Sequence, residues 1–245
     1  MTFNIQHGLD FAGRYNLQAA IDVIARVQPD LVALQEVTRN HPFYSCNDQP
    51  LLIAQGLRQA TGREWRHWYV QQWFTPDRSC QAAGNGDGAE TEGLAFFAPA
   101  SIDQLGSMPL IDTGLGLAAR SGVTVPTITT HMASGAAELT HRTIQINQLI
   151  GWAPSVGAPR VLLGDFNARP DAPEIQPVFA QYRDAWTDAV AAGTAAGVAG
   201  GDTRIRGGRI DYVLYTGDAL TVLSAETVDT NASDHRPVVV RFGVR

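Results

Sequence analysis

Short unbroken apolar runs alternate along this chain with stretches in which apolar residues return every three or four positions. Met1–Ile5 and Leu31–Leu34 are runs of the first kind, too short for helices and predicted to be buried strands. Between them Leu17, Ala20, Ile21, Ile24 and Ala25 share one face of a helix predicted over Leu17–Val27. Gln49–Thr61 repeats the helical spacing, Trp68–Phe74, Leu94–Phe97, Ser107–Ile111 and Val123–Thr130 read as β, and Glu138–Trp152 as a third helix. The second half follows the same plan. Val161–Leu163 is a strand, Glu174–Tyr182 a short helix, and Ile210–Tyr215, Leu220–Ala225 and Pro237–Phe242 three closing strands. Such a mixture predicts an α/β protein with two sheets and helices outside. Two stretches are expected to be loops: Pro76–Glu90, which contains Gly84-Asn85-Gly86-Asp87-Gly88, and the Ala/Gly-rich Ala191–Gly201, read as mobile. Neither has the character of a linker, so residues 1–245 are expected to form one domain.

Composition narrows the chemistry. At 245 residues, 44% hydrophobic and 17% charged, the chain is long and apolar enough to bury roughly 72% of its unfolded surface without metal or disulfide staples, so a metal would be functional. All 18 of its basic residues are arginine. With no lysine, Schiff bases, P-loop lysines and lysine general bases are excluded. The net charge of −6 supplies no overall basic field, and binding a polyanion would need a local arginine patch. Cys46 and Cys80 lack metal-ligand spacing and form either one disulfide or two free thiols. No run approaches a membrane span and no charged-then-apolar leader precedes Met1, which opens directly into a core strand. The expectation is a soluble monomer, secreted with its export segment already removed.

The polar residues that punctuate the strands carry the chemistry. Asn4 ends the first strand, Gln35-Glu36 the second, His131 the strand Val123–Thr130, and Asp165 and Asn167 follow Val161–Leu163 in Gly164-Asp165-Phe166-Asn167. Asp211 lies in Arg209-Ile210-Asp211-Tyr212, and Asp234-His235 in Ser233-Asp234-His235-Arg236-Pro237 before the last strand. Strand ends are where layered α/β proteins place their sites. Singly, an Asp-His pair is more often a turn with a solvated imidazole and a Gln-Glu pair more often a cap or surface turn. Together, Glu36, Asp165, Asp234 and the amides of Asn4 and Asn167 make an oxygen-rich set suited to a hard cation, Mg²⁺ or Mn²⁺, rather than zinc. Two histidines with carboxylate neighbours add an acid and a base, which completes a kit for hydrolysing phosphate esters. Asp211 is open to a second reading as a buried carboxylate satisfied by Arg209 or a backbone amide.

In this order, these motifs resemble the endonuclease/exonuclease/phosphatase superfamily, whose fold is that of pancreatic deoxyribonuclease, and the match spans Asn4 to Pro237. The resemblance implies a four-layer α/β/β/α sandwich of two mixed, mainly antiparallel sheets. It implies that Glu36 is the principal metal carboxylate, with Asn4 binding metal or phosphate and Asp234 joining the metal shell. Asp165 and Asn167 would hold the phosphate and position the attacking water. His235 would take a proton from that water with Asp211 fixing its tautomer, and His131 would stabilise the phosphorus centre or protonate the leaving oxygen. Glu92, in Glu92-Gly93-Leu94-Ala95-Phe96-Phe97, resembles the carboxylate that partners His131.

The implied reaction is divalent-metal-dependent hydrolysis of a phosphate ester, a phosphodiesterase or nuclease first, with a sphingomyelinase-like phospholipase or a phosphomonoesterase as the alternative and a non-catalytic binding module as the remote one. The substrate is thus a nucleic acid or a phospholipid head group. Arg142, Arg204 and Arg206 are candidates for substrate phosphate, Arg142 otherwise being solvated. His7 is expected at the rim and His41 and His67 at the surface. Trp65, Trp68, Tyr69, Trp73 and Phe74 divide between core and rim. The Asn231-Ala232-Ser233 sequon overlaps the histidine turn and is discounted.

Overall fold

The computed structural model describes residues 1–75, 77–83, 88–112, 114–121, 125–217 and 219–244. In chain order the first half contains β1 (Thr2–Asn4), α1 (Leu17–Val27), β2 (Val32–Arg39), α2 (Gln49–Thr61), β3 (Arg66–Phe74), β4 (Thr91–Ala98), β5 (Ile102–Pro109), β6 (Leu115–Ser121) and β7 (Thr127–His131). The second contains α3 (Leu139–Trp152), β8 (Val161–Asp165), α4 (Gln176–Phe179), β9 (Arg183–Asp184), α5 (Ala185–Ala192), β10 (Ala195–Gly197), β11 (Asp211–Tyr215), β12 (Leu220–Thr227) and β13 (Val238–Val244). The strands form a seven-stranded sheet in the order β10-β12-β13-β1-β2-β4-β3 and a six-stranded sheet in the order β5-β6-β7-β8-β11-β9.

Alternation along each strand sorts the core into three. On β4, Leu94 and Phe96 face the other sheet, while Ala95 and Phe97 face the helices α1 and α2. On β8, Val161 and Leu163 face inward, while Leu162 faces Ile146, Leu149 and Ile150 of α3. Strands covered on both faces are apolar at every position, which is why these runs are unbroken in the sequence. The result is the α/β/β/α sandwich.

The structure extends and corrects the predicted elements. The strand expected at Ser107–Ile111 runs from Ile102 to Pro109, and the chain then turns back as β6, which the pattern did not disclose. Its sequence, Leu-Gly-Leu-Ala-Ala-Arg-Ser, is poor in β-branched residues. The glycine is required there, because a Cβ on Gly116 would come within 3.0 Å of Leu149 and Trp152 of α3. Helix α5 also went unpredicted, although Asp184 caps it by accepting from the Trp186 N–H at 3.1 Å. Ala191–Gly201 is ordered rather than a mobile loop: it completes α5, adds β10 in parallel to β12, and closes with a 3₁₀ turn. The helix expected over Glu174–Tyr182 is a 3₁₀ turn followed by the single turn of α4. Within Pro76–Glu90, the predicted loop at Pro76 and over 84–87 lies outside the described residues, as does the start of the strand expected at Val123.

Cys46 and Cys80 are joined in a disulfide, which resolves the alternative left open by their spacing. The link ties the turn after β2 to the segment after β3. Across a separation of 34 residues, loss of loop-closure entropy in the unfolded chain gives about 3–4 kcal/mol. The Cys46→Ser/Cys80→Ser protein is therefore expected to unfold at lower urea, with a stability loss in that range by linear extrapolation.

Candidate active site

Register brings the polar residues to one end of the sandwich. Parallel pairing of β7 with β8 sets His131 beside Asp165, and antiparallel pairing of β8 with β11 sets Asp165 beside Asp211. In the other sheet, parallel pairing of β1 with β2 sets Asn4 beside Gln35. His235 reaches the same end on the turn before β13, fastened by the Ser233 hydroxyl donating to the Asn4 carbonyl at 2.8 Å. Gly164 makes the central pairing possible: its φ is +134°, and a Cβ there would lie 2.1 Å from the Thr130 carbonyl oxygen.

Glu36 sits within β2 and not at its end. From Leu34 to Val37 β2 spends three steps while β4 spends two, so Gln35 and Glu36 share one partner position in a bulge. Glu36 takes the left-handed conformation, φ 55°, which costs a non-glycine residue about 1–2 kcal/mol. The bulge turns the carboxylate toward the other sheet. There Oε1 accepts from Asn4 Nδ2 at 2.8 Å and lies 3.7 Å from His131 Nε2, and Oε2 lies 3.2 Å from His7 Nε2. Gln35 is fully buried, accepting from the Thr2 hydroxyl at 3.2 Å and donating to Thr129 Oγ1 across the sheets at 3.0 Å.

Asp165, 1% exposed, is the hub. Its Oδ1 accepts from the Asn167 N–H at 2.8 Å and its Oδ2 from Asn4 Nδ2 at 3.1 Å. The Nε2 atoms of His131 and His235 point at the same Oδ2 from 3.9 and 3.8 Å, too far for a hydrogen bond and close enough for both to meet a third group. Burial, and then the negative charge of Asp211, push the Asp165 carboxyl up to about 6. Asp211 holds His235 Nδ1 at 2.8 Å, and is itself held by the Thr203 hydroxyl, which accepts from its backbone N–H at 3.1 Å. Arg209 pairs with Asp184 at 2.6 Å instead, so Asp211 belongs to the histidine and not to a structural arginine. Burial works to lower the His235 imidazole, but Asp211 and Asp165 outweigh it and raise the group to about 10. Burial likewise works to raise Glu36, yet the imidazoles of His131 and His7 and the Asn4 amide hold it below the ordinary carboxylate range.

Other expected roles change. Asn4 presents its NH₂ to Glu36 and Asp165 while its Oδ1 accepts from the Gln6 N–H at 3.0 Å. Glu92 faces His7, its Oε2 3.7 Å from His7 Nδ1, rather than partnering His131. Burial raises the Glu92 carboxyl, with the His7 imidazole opposing. His7 was expected at the rim, but its ring lies between Glu36 and Glu92 and stacks on Tyr44 at 5.6 Å. The only sequence signal was its position three residues after Asn4; the left-handed Gln6 and His7 that aim it are not a sequence pattern. His41 is only partly exposed, pairing with Glu90 at 3.3 Å and packing on Tyr44, while His67 is at the surface as expected. Arg142 is neither solvated nor turned to the site: it pairs with buried Glu174 at 3.1 Å and donates to the carbonyls of Ala133 and Gly135, bracing the loop after His131. Asn167 donates to the Met132 carbonyl at 2.9 Å in the same loop. Asp234 lines a cleft beside the cluster with Arg204 and Arg206. Trp65 is core, whereas Trp73, 38% exposed, lines the groove that contains Glu92 and His131.

Asp165, Asp211 and His235 offer ligand atoms within 4.8 Å of one another, a grouping compatible with a metal ion. Asp211 gives its Oδ2 to His235 Nδ1 while its buried Oδ1 has no hydrogen-bond partner, and the Asn4 amide draws the carboxylates of Asp165 and Glu36 together. All-oxygen donors suit a hard divalent cation. The profile of the Endonuclease/Exonuclease/phosphatase family matches residues 1–235. The chain belongs to that family. It is a family of phosphoester hydrolases that typically use a divalent metal. The fold is shared with an endonuclease/exonuclease/phosphatase from Beutenbergia cavernae at a TM-score of 0.72 and 22% identity, over 99% of this chain and 70% of that one. The human Nocturnin catalytic domain with bound sulfate aligns at 0.67 and 21% identity, over 99% and 92% of the two chains. A mannosyl-6-phosphatase of Bacteroides thetaiotaomicron aligns at 0.66 and 14%, over 99% and 98%. No curated protein matches in sequence.

The His235 geometry fixes a pH dependence. Its folded value lies above the unfolded ~6.5, so in the metal-free protein the charged imidazole stabilises fully below that pH and the contribution is lost as pH rises through about 10. In chelator, NMR should place the His235 titration near the upper value, and Asp211→Asn should return it toward the ordinary one. An unchanged titration in that variant would refute the pairing.

Proposed function

We propose that the protein hydrolyses phosphodiesters with a divalent cation, Mg²⁺ or Mn²⁺, held by Glu36 and Asp165 with Asp234 completing the shell from the side. The observation that supports this most directly is the convergence of His131 Nε2 and His235 Nε2 on one oxygen of Asp165, with His235 oriented from behind by Asp211. When bound, the cation supplies the positive charge that polarises a phosphoryl oxygen and lowers the pKa of a water. Asp211 holds the His235 Nδ1–H, so that Nε2 faces the water. The charges of Asp211 and then Asp165 keep His235 protonated in the metal-free protein; once Asp165 holds a cation the second of these is offset, which favours the neutral imidazole that can take a proton at Nε2. His131, on the opposite side of Asp165, is placed to steady the phosphoryl oxygens and return a proton to the leaving oxygen. The Asn167 and Asn4 amides orient the phosphate and the carboxylates.

A diester is favoured over a monoester by charge. Glu36, Asp165 and Asp211 already crowd the site, while Arg142 and Arg209 are committed to Glu174 and Asp184. A monoanionic diester meets less repulsion than a dianionic monoester there. Residues 1–245 act as one catalytic domain in this reading. The Cys46–Cys80 disulfide supports an oxidising, exported setting, and no described helix is long and apolar enough to cross a membrane.

Hydrolysis of bis(p-nitrophenyl) phosphate should depend on Mg²⁺ or Mn²⁺, stop in chelator, and exceed that of p-nitrophenyl phosphate. Glu36→Ala and His235→Ala should each lower kcat by about 10²–10⁴ without loss of fold; turnover within a few fold of wild type would discard the assignment. Saturating Mg²⁺ should raise the Tm by roughly 5–10 °C, since the cation binds the folded state and relieves carboxylate repulsion. That rise should vanish in Glu36→Ala.

A further inference from the structure

A cleft of about 440 Å³ opens directly beside the histidine turn, lined by Gln6, Phe11, Gly13, Arg204, Arg206 and Asp234. Its walls continue from the site: Gln6 donates its N–H to Asn4 Oδ1, and Arg204 is bridged to His235 as a backbone neighbour. The two arginines are exposed, and neither has a carboxylate partner among the described residues, unlike Arg14, Arg39, Arg142, Arg209 and Arg236. They ride on a closed turn. Arg204 N–H bonds the Gly208 carbonyl, Gly207 N–H the Arg204 carbonyl, and Ile205 N–H the Asp234 carbonyl. Arg236 further donates to the Arg204 carbonyl at 3.1 Å. Guanidinium groups left unpaired on a braced turn are set for an anion from outside the chain.

Building on the proposed diesterase reading, we propose that this cleft binds the phosphate next to the scissile one in a nucleic-acid strand. Arg204 is the backbone bridge partner of His235 yet lines a cleft that includes neither histidine nor Asp165, which suits a flanking phosphate and not the reacting one. Phe11, 41% exposed on the facing wall, adds an aromatic surface on which a base stacks, the combination of cation and ring that holds single strands. The one opposing charge, Asp234, faces the cation in the same reading. A choline phospholipid fits poorly. Its head group carries one phosphate and a quaternary ammonium, which two guanidinium groups repel. The cleft therefore confers on an acidic protein the local arginine patch that binding a polyanion requires.

The test is binding of a fluorescein-labelled single-stranded oligodeoxythymidylate to the full chain in chelator, by anisotropy across a salt series, for wild type and for Arg204→Gln/Arg206→Gln. Wild type should bind with salt-dependent affinity. The double substitution should weaken binding about tenfold or more and reduce the log–log salt slope by about 0.7, the value for one phosphate contact on a single strand. Its Tm should match wild type. Unaltered affinity and slope in the variant, no salt-dependent binding by wild type, or tighter binding to sphingomyelin vesicles than to the oligonucleotide would each overturn the assignment. Loss of the small-diester activity in every protein would count against the diesterase reading alone, because the binding measurement does not require turnover.

Discussion

A carboxylate buried between two sheets, that of Asp165, is the constraint around which this molecule is arranged. An isolated charge so placed is strongly disfavoured, and the fold answers by surrounding it with a donor from each side: an Asn167 backbone N–H from its own sheet and the Asn4 amide from the other. The same Asn4 amide also holds Glu36, so one side chain from β1 couples both carboxylates and both sheets. Beneath it, the Thr2–Gln35–Thr129 chain of hydrogen bonds carries a second polar link through an otherwise apolar interior. The two sheets are thus registered at this end by specific bonds, while elsewhere Phe96, Leu117, Leu163 and Tyr215 hold them by packing alone.

Much of this was legible because burial on both faces leaves long apolar runs, and the polar residues that interrupt them are conspicuous. Asn4, His131, Asp165, Asp211 and His235 were identified in that way, and register then brings them into one row. What was not legible depends on conformation at single residues. The placement of Glu36 comes from an extra residue in β2, and that of His7 from two successive left-handed residues; neither has a periodicity to detect. Glu92 was assigned His131 by resemblance and takes His7, the residue whose position could not be foreseen, while Arg142, read as solvated or turned to substrate phosphate, takes Glu174. Strand β6 was hidden because its alanines and glycine, of which Gly116 and Ala118 lie under α3, lack the branched side chains that mark a strand.

Charge is distributed as unevenly as polarity. The chain is acidic overall, and several of its arginines are spent on internal partners such as Asp48, Glu174, Asp184 and Asp229. At an ionic strength where fields fade within about 8–10 Å, the whole-molecule charge matters less to a bound phosphate than the few cations within that distance. Because every basic side chain is arginine, those cations do not titrate over the range in which the carboxylates and imidazoles of the site do.

The bulge at Gln35 and Glu36 makes this arrangement a compromise between two optima. Removing one residue from β2 would return its ladder with β4 to regular pairing and relieve the left-handed glutamate, both favourable to the folded chain. Val37 and Thr38 would keep their partners Gly93 and Glu92, but the strand would lose either Gln35, with its buried bond to Thr129 of the other sheet, or Glu36, with its approach to His131 and His7. The strain is therefore kept by the site and not by the strand, and selection for thermal stability alone would discard one of the two side chains that the bulge presents.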